Sequence, residues 1–142
     1  MRLLDVNVLL ANALESHEDH LAVRRWLVSH SGMPFATCAL TESSLMRLLM
    51  NPAINETPID TATGIELLRH LHAHPSHRYL DKLPPVTGPV VAGLLSRVSG
   101  YRQVTDAYLV GVAHANGGKL ATLDQKLATL FGPDVLELIE PD

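Results

Sequence analysis

Four carboxylates stand where apolar segments of this chain change character: Asp5 in "MRLLDVNVLL", Glu42 in "LTESSL", Asp106 in "VTDAYL" and Asp124 in "ATLDQKL". Asp5 is the most demanding of them, because an ionised carboxylate set among leucines and valines is costly unless a cation or a set of donors compensates it. Carboxylates gathered in one place repel one another, and a bound divalent cation removes both that repulsion and the isolated burial. Oxygen ligands without cysteine or a histidine triad favour a hard ion, Mg²⁺ or Mn²⁺, over zinc. Such an ion can lower the pKa of a water, hold a phosphodiester and neutralise charge on a leaving oxygen. Ordinary capping is the alternative for Glu42, Asp106 and Asp124, since acids at helix N-termini compensate the dipole. For Asp5 the alternative is a tight turn closed by backbone hydrogen bonds. Asn7 is placed to orient Asp5 or a nearby loop, and Thr122 either bonds the carboxylates or faces the core as a strand residue.

The elements that must position these acids follow from pattern. "RLLD" is a short apolar strand that passes into a helix over "VNVLLANALE". A second helix is expected over "HEDHLAVRRWLVSH", with Leu21, Ala22, Trp26 and Leu27 as its apolar stripe. "MPFATCAL" reads as the second strand. Thr41 is expected to cap "ESSLMRLLMN", which Pro52 closes, and Asp60 to cap "TATGIELLRHLHAH". "HRYLD" is a further strand and "VVAGLLSRVS" a helix. Thr105 or Asp106 starts the helix "AYLVGVAHAN", which Gly117 and Gly118 stop. "KLATLD", a short helix "QKLATLFG" and a final strand "VLELIE" complete the alternation. This order predicts a three-layer α/β/α sandwich with a mostly parallel sheet. In such sheets the crevice lies outside the carboxyl ends of the strands, the rim on which all four acids fall.

Composition bounds the possibilities. The 142 residues are 46% hydrophobic and 18% charged, with nine Gly and nine Pro scattered, which suits one domain over residues 1–142 with its own core. The only cysteine, Cys38, sits in an apolar stretch and reads as a small buried hydrophobe. Asp5 and Asn7 interrupt the apolar start before a signal-peptide core forms, and no run is long enough to span a bilayer, so a soluble cytoplasmic protein is expected. A net charge of -4 argues against a general polyanion-binding surface, so any nucleic-acid contact must be local or use a cation.

Two further groups invite chemistry. "RHLHAHPSH" holds His70, His72, His74 and His77, with His70 and His74 one helical turn apart as in some zinc sites, though the metalloprotease glutamate between them is missing. A solvated helix end is the plainer reading, and His17, His20, His30 and His114 read likewise. Arg24, Arg25, Arg47, Arg97 and Arg102 are candidate phosphate contacts, against a surface role for each. Trp26, Met46 and Met50 read as core or interface.

Taken together, "LLDVNVLL", "TESSLMRLL", "VTDAYLVGVAHANGGKLATLD" and "LELIEP" resemble the PIN-domain nucleases, and look most like the VapC toxins of bacterial toxin–antitoxin pairs. The resemblance runs through nearly the whole chain in order. It implies that Asp5, Glu42, Asp106 and Asp124 form the family's acidic quartet, with Asp5 and Asp106 the most direct metal ligands and Asn7 and Thr122 in support. It implies endonucleolytic cleavage of RNA that depends on Mg²⁺ or Mn²⁺, with a metal-activated water attacking phosphorus. It also implies inhibition by a VapB-like antitoxin whose tail fills the active-site groove, and a homodimer. Val6 departs from the pattern, since many members carry a hydroxyl residue there. Two other functions fit parts of the sequence. A haloacid-dehalogenase-type phosphatase also begins with a strand-terminal aspartate, but its second aspartate is replaced here by Asn7. A noncatalytic partner-binding module would use the same acids as caps.

Overall fold

Five short apolar runs form strands, and in the computed structural model, which describes residues 1–141, all five are parallel. They are β1 (Arg2–Leu4), β2 (Phe35–Cys38), β3 (His77–Leu80), β4 (Lys119–Thr122) and β5 (Leu136–Leu138), in the spatial order β3-β2-β1-β4-β5. Leu3 lies beside Ala36 on one side and Leu120 on the other, and Thr122 lies beside Leu138. Because neighbouring parallel strands need a crossover, helices fill the connections. They are α1 (Val6–Ala13), α2 (His20–Ser29), α3 (Ala39–Leu49), α4 (Thr61–His72), α5 (Pro89–Leu95), α6 (Val104–Ala115) and α7 (Gln125–Phe131).

Both faces of the sheet are covered, which is why its strands read as continuous apolar runs. Leu3, Ala36, Cys38, Leu80, Leu120 and Leu136 pack against α6 and α7, with Leu94 and Leu95 of α5 alongside. On the opposite face Leu4 and Ala121 pack with Val8 and Leu9 of α1, Val23 of α2, Leu45 and Leu49 of α3 and Leu68 of α4. The expected three-layer α/β/α arrangement is therefore the one formed. Gly111 lets α5 lie close on α6, since a Cβ there would stand 2.9 Å from Cγ2 of Val91. Gly117, at φ +76°, takes the left-handed turn that ends α6, as expected of it.

Three local expectations are corrected. α2 begins at His20; of the expected stripe Ala22, Trp26 and Leu27 do face the core, but Leu21 is 64% exposed and Val23 is buried in its stead. Thr41 does not cap α3: that helix starts at Ala39, and the Thr41 hydroxyl reaches back from the third helical position to accept from the Cys38 backbone N–H at 3.1 Å. α6 starts at Val104, after a 3₁₀ turn over Tyr101–Gln103, so neither Thr105 nor Asp106 is its cap. Asp60 does cap α4, accepting from Thr63 at 2.8 Å. Cys38 is fully buried, whereas Met50 is 39% exposed and Trp26 only half-buried.

The chain runs from β1 outward to β2 and β3, then returns to the other side of β1 for β4 and β5. Between β1 and β4 the connections therefore diverge, which opens a crevice at the carboxyl ends of these two strands. Asp5 ends one of them and Asp124 follows the other.

Candidate active site

Asp5 caps α1 from the end of β1. Its Oδ1 accepts from the Val6 backbone N–H at 2.7 Å, and its own N–H donates to the Ala121 carbonyl at 2.9 Å, which ties the carboxylate to β4. Oδ2 accepts a 2.7 Å hydrogen bond from the Thr122 hydroxyl. That hydroxyl in turn accepts from Asn7 Nδ2 at 3.1 Å and from the Asp124 N–H at 3.1 Å, while Asn7 Oδ1 accepts from the Leu123 N–H at 3.2 Å. Thr122 thus spends its one proton on Asp5 and both lone pairs on neighbours. Asn7 acts on Asp5 through Thr122. The turn-closing role expected as the alternative for Asp5 is the one these bonds show.

Asp124 caps α7, its Oδ1 accepting from Lys126 at 2.9 Å and Leu127 at 3.1 Å. Asp106 lies in the first turn of α6, and among the described residues no hydrogen bond or ion pair engages its side chain. Burial, and then the charges of Asp5 and Asp124, push its carboxyl up to about 6. Burial likewise raises Asp5, which is 2% exposed, against the lowering effect of its Thr122 and Val6 donors; Asp124 adds to the rise. Three aspartates are therefore within electrostatic reach at the crevice, and among the described residues no cationic side chain pairs with any of them.

That is the electrostatic state of an oxygen-lined cation site: negative charge accumulated, preorganised and uncompensated. Asp5 and Asp106 together with Asp124 fit a hard divalent ion by donor type, all three offering carboxylate oxygen and none offering nitrogen or sulfur.

Glu42 is held elsewhere. It sits in the first turn of α3, and its Oε1 accepts from the Thr37 hydroxyl at 2.6 Å and pairs with Nε2 of His72. Thr37 Oγ1 also meets Nε2 of His77 at 2.7 Å, and the rings of His72 and His77 stack with centroids 4.6 Å apart. His77 is buried, and that burial, followed by the charge of His72, lowers its pKa against the opposing pull of Glu42. The sequence pointed to His70 and His74 by helical spacing, but the histidines that converge are His72, the last residue of α4, and His77, the first of β3. Their meeting depends on the tight turn at residues 73–76 and on β3 pairing with β2, neither of which a helical period encodes. Thr37 escaped notice because a threonine in an apolar strand reads as filler. Of the candidate phosphate contacts, Arg24 bonds Asn12 Oδ1 at 3.3 Å, Arg97 bonds the Leu130 carbonyl and lies over Phe131, and Arg102 lies 5.7 Å from the ring centroid of the exposed Tyr101.

The family model for the PIN domain matches residues 2–130. Ribonuclease VapC38 of Mycobacterium tuberculosis is 38% identical over 131 residues, covering 92% of this chain and 89% of that protein. Ribonuclease VapC29 of the same species is 38% identical over 137 residues, covering 96% and 95%. Ribonuclease VapC39 is 33% identical over 138 residues, covering 96% and 98%.

Proposed function

The chain belongs to the PIN domain family, and from that premise we propose that it is a metal-dependent endoribonuclease and the toxin of a VapBC-type toxin–antitoxin pair. The observation that carries the reading is the placement of Asp5, Asp106 and Asp124 at the crevice between β1 and β4 without a cationic partner among the described residues. The similarity to three ribonucleases of the VapC type supports RNA as the substrate.

Asp5 and Asp106 would hold the Mg²⁺ or Mn²⁺ ion, whose positive charge would position the scissile phosphate and stabilise charge growing on its oxygens. The rest falls to the chain. Thr122 and Asn7 fix the orientation of Asp5, so that the buried carboxylate needs no rearrangement as substrate arrives. Asp124, anchored through Oδ1 by the N-terminus of α7, orients the attacking water and accepts its hydrogen bond. Glu42 completes the acidic quartet only when it leaves His72. Attack on phosphorus forms a new P–O bond and breaks the bond to the 3′ oxygen, which takes up a proton, leaving a 3′-hydroxyl and a 5′-phosphate.

The negative rim also suits the basic tail of a VapB-like antitoxin, which would occupy the groove and exclude RNA. We place the activity in a single domain over residues 1–142, acting as a homodimer in the cytoplasm. No helix among the described residues is long and apolar enough to cross a membrane.

Cleavage of a structured RNA pool by wild type and Asp106→Asn, each with Mg²⁺, with Mn²⁺ and with chelator, tests the reading. Wild type should cut only with metal, and the variant should lose about a hundredfold or more in rate. Equal rates for the two proteins, or no cutting by either, would transfer weight to a noncatalytic partner-binding role.

A further inference from the structure

The cluster formed by Glu42, His72 and His77 differs in chemistry from the aspartate crevice. It lies on the α1–α4 side of the sheet: in β2, Ala36 and Cys38 face α6 and α7, so by alternation Thr37 faces the other way, toward His77 and α4. One carboxylate oxygen and two imidazole nitrogens converge, with all ligand atoms within 4.8 Å of one another. Imidazole nitrogen selects first-row transition ions, whereas the crevice offers oxygen alone.

We propose that Glu42, His72 and His77 form a second metal site, specific for a divalent transition ion of the zinc type, and that occupation of this site withholds Glu42 from the catalytic acids. The withholding half rests on the endoribonuclease reading; the binding half does not. A zinc ion has bonds of about 2.0–2.1 Å to nitrogen and oxygen, so the donors must draw in toward it, and His72, 40% exposed at the end of α4, is the one with room to turn. His77 is buried, and Thr37 Oγ1 bonds both Nε2 of His77 and Oε1 of Glu42, which holds these two side chains next to each other. The ion would replace the direct contact between Glu42 and His72 and complete its coordination with water on the exposed side. The hydrogen bonds of Glu42 to Thr37 and His72 already engage its carboxylate at this cluster, and the ion would tighten that arrangement.

The test is calorimetric titration of Zn²⁺ into the chain held in excess Mg²⁺, comparing wild type, His72→Ala and Asp106→Asn, with folding of each checked by thermal melting. His72 is chosen because its side chain is 40% exposed, so its removal spares the core; His77→Gln is the second variant. One Zn²⁺ per chain is expected in wild type and in Asp106→Asn, with affinity reduced at least about tenfold in His72→Ala and in His77→Gln. Unchanged affinity in a folded His72→Ala, or loss in Asp106→Asn alone, would overturn the site. In RNA cleavage with Mg²⁺, Zn²⁺ should slow wild type while leaving His72→Ala as fast as without it. Equal slowing of both proteins would overturn the withholding of Glu42. Failure of wild type to cut RNA at all would count against the endoribonuclease reading and leave the titration to decide the site.

Discussion

The Thr122 hydroxyl donates a 2.7 Å hydrogen bond to Oδ2 of Asp5, joining residues 117 positions apart at the ends of adjacent strands. Thr122 is fully buried, and its oxygen also serves Asn7 and the Asp124 backbone, so one hydroxyl sets the geometry of two of the three crevice acids. Thr122→Val keeps the shape and removes every one of these bonds. It should destabilise the chain by about 1–3 kcal/mol, the cost of leaving buried polar groups unpaired. Because the Thr122 donor is what opposes desolvation at Asp5, its loss also raises the Asp5 pKa further and weakens Mg²⁺ binding at neutral pH. Chemical denaturation and Mg²⁺ titration of a folded variant measure the two effects. Mg²⁺ affinity equal to wild type would show that Thr122 is only a packing residue.

The metal-free chain should grow more stable as pH falls from 7 to 5, against the usual behaviour of acids paired in a fold. The Asp106 carboxyl titrates near 3.8 when unfolded and at about 6 when folded. Between those values the folded form holds a proton that the unfolded form has released, so stability declines as pH rises through the window and the loss is complete above it. Asp5 acts in the same direction and His77 in the opposite one, so the informative quantity is the difference between wild type and Asp106→Asn. At pH 7 in chelator the variant should be more stable by about 1 kcal/mol, after allowance for the water that still reaches this partly exposed group. Below about pH 3.8, where the folded and unfolded forms both hold the proton, the difference should vanish. Saturating Mg²⁺ should invert the ranking, since ligand at a hundredfold excess over its dissociation constant adds about 2.7 kcal/mol to wild type alone. Melting curves over pH and metal decide it; a variant less stable than wild type in chelator would mean that Asp106 supports the fold.

The legible part of this molecule is the part encoded by local pattern. The strand-terminal position of Asp5, the caps by Asp60 and Asp124 and the stop at Gly117 follow from short-range rules, and all four hold. Membership of the acids in one rim follows from the alternation of strands and helices, but their grouping does not. Asp5 joins Asp124 because β1 pairs with β4, a choice made by the long chain between them. Glu42 follows β2, the other neighbour of β1, yet its carboxylate turns to Thr37, five residues back on β2, and to His72, which only the end of α4 supplies. Side-chain direction at a helix N-terminus is decided by competing partners in space. Leu21 marks the edge of one helix's stripe: Ala22, Trp26 and Leu27 face the core as their period implies, while Leu21 turns outward and Val23 takes the buried place.

Tyr101 is 81% exposed in the 3₁₀ turn that leads into α6, five residues before Asp106, with the Arg102 guanidinium 5.7 Å from its ring centroid. Exposure of this extent gives the ring nothing to do for the core, and an aromatic face with an adjoining cation is a stacking platform for an unpaired base. The net charge of -4 makes such a local contact necessary, since the surface as a whole repels RNA. Base stacking on an aromatic ring is worth about 1–3 kcal/mol, so Tyr101→Ala should weaken binding of single-stranded RNA by about tenfold or more. Tyr101→Trp should preserve it. The melting temperature should not move, and KM should rise with kcat close to wild type, because the contact is made equally before and during the reaction. Binding by fluorescence anisotropy, with Asp106→Asn as the background to prevent cleavage, gives the affinities. Equal affinity for the tyrosine and alanine forms would remove Tyr101 from the RNA path and leave the groove beside Asp106 to be reached from the β5 side.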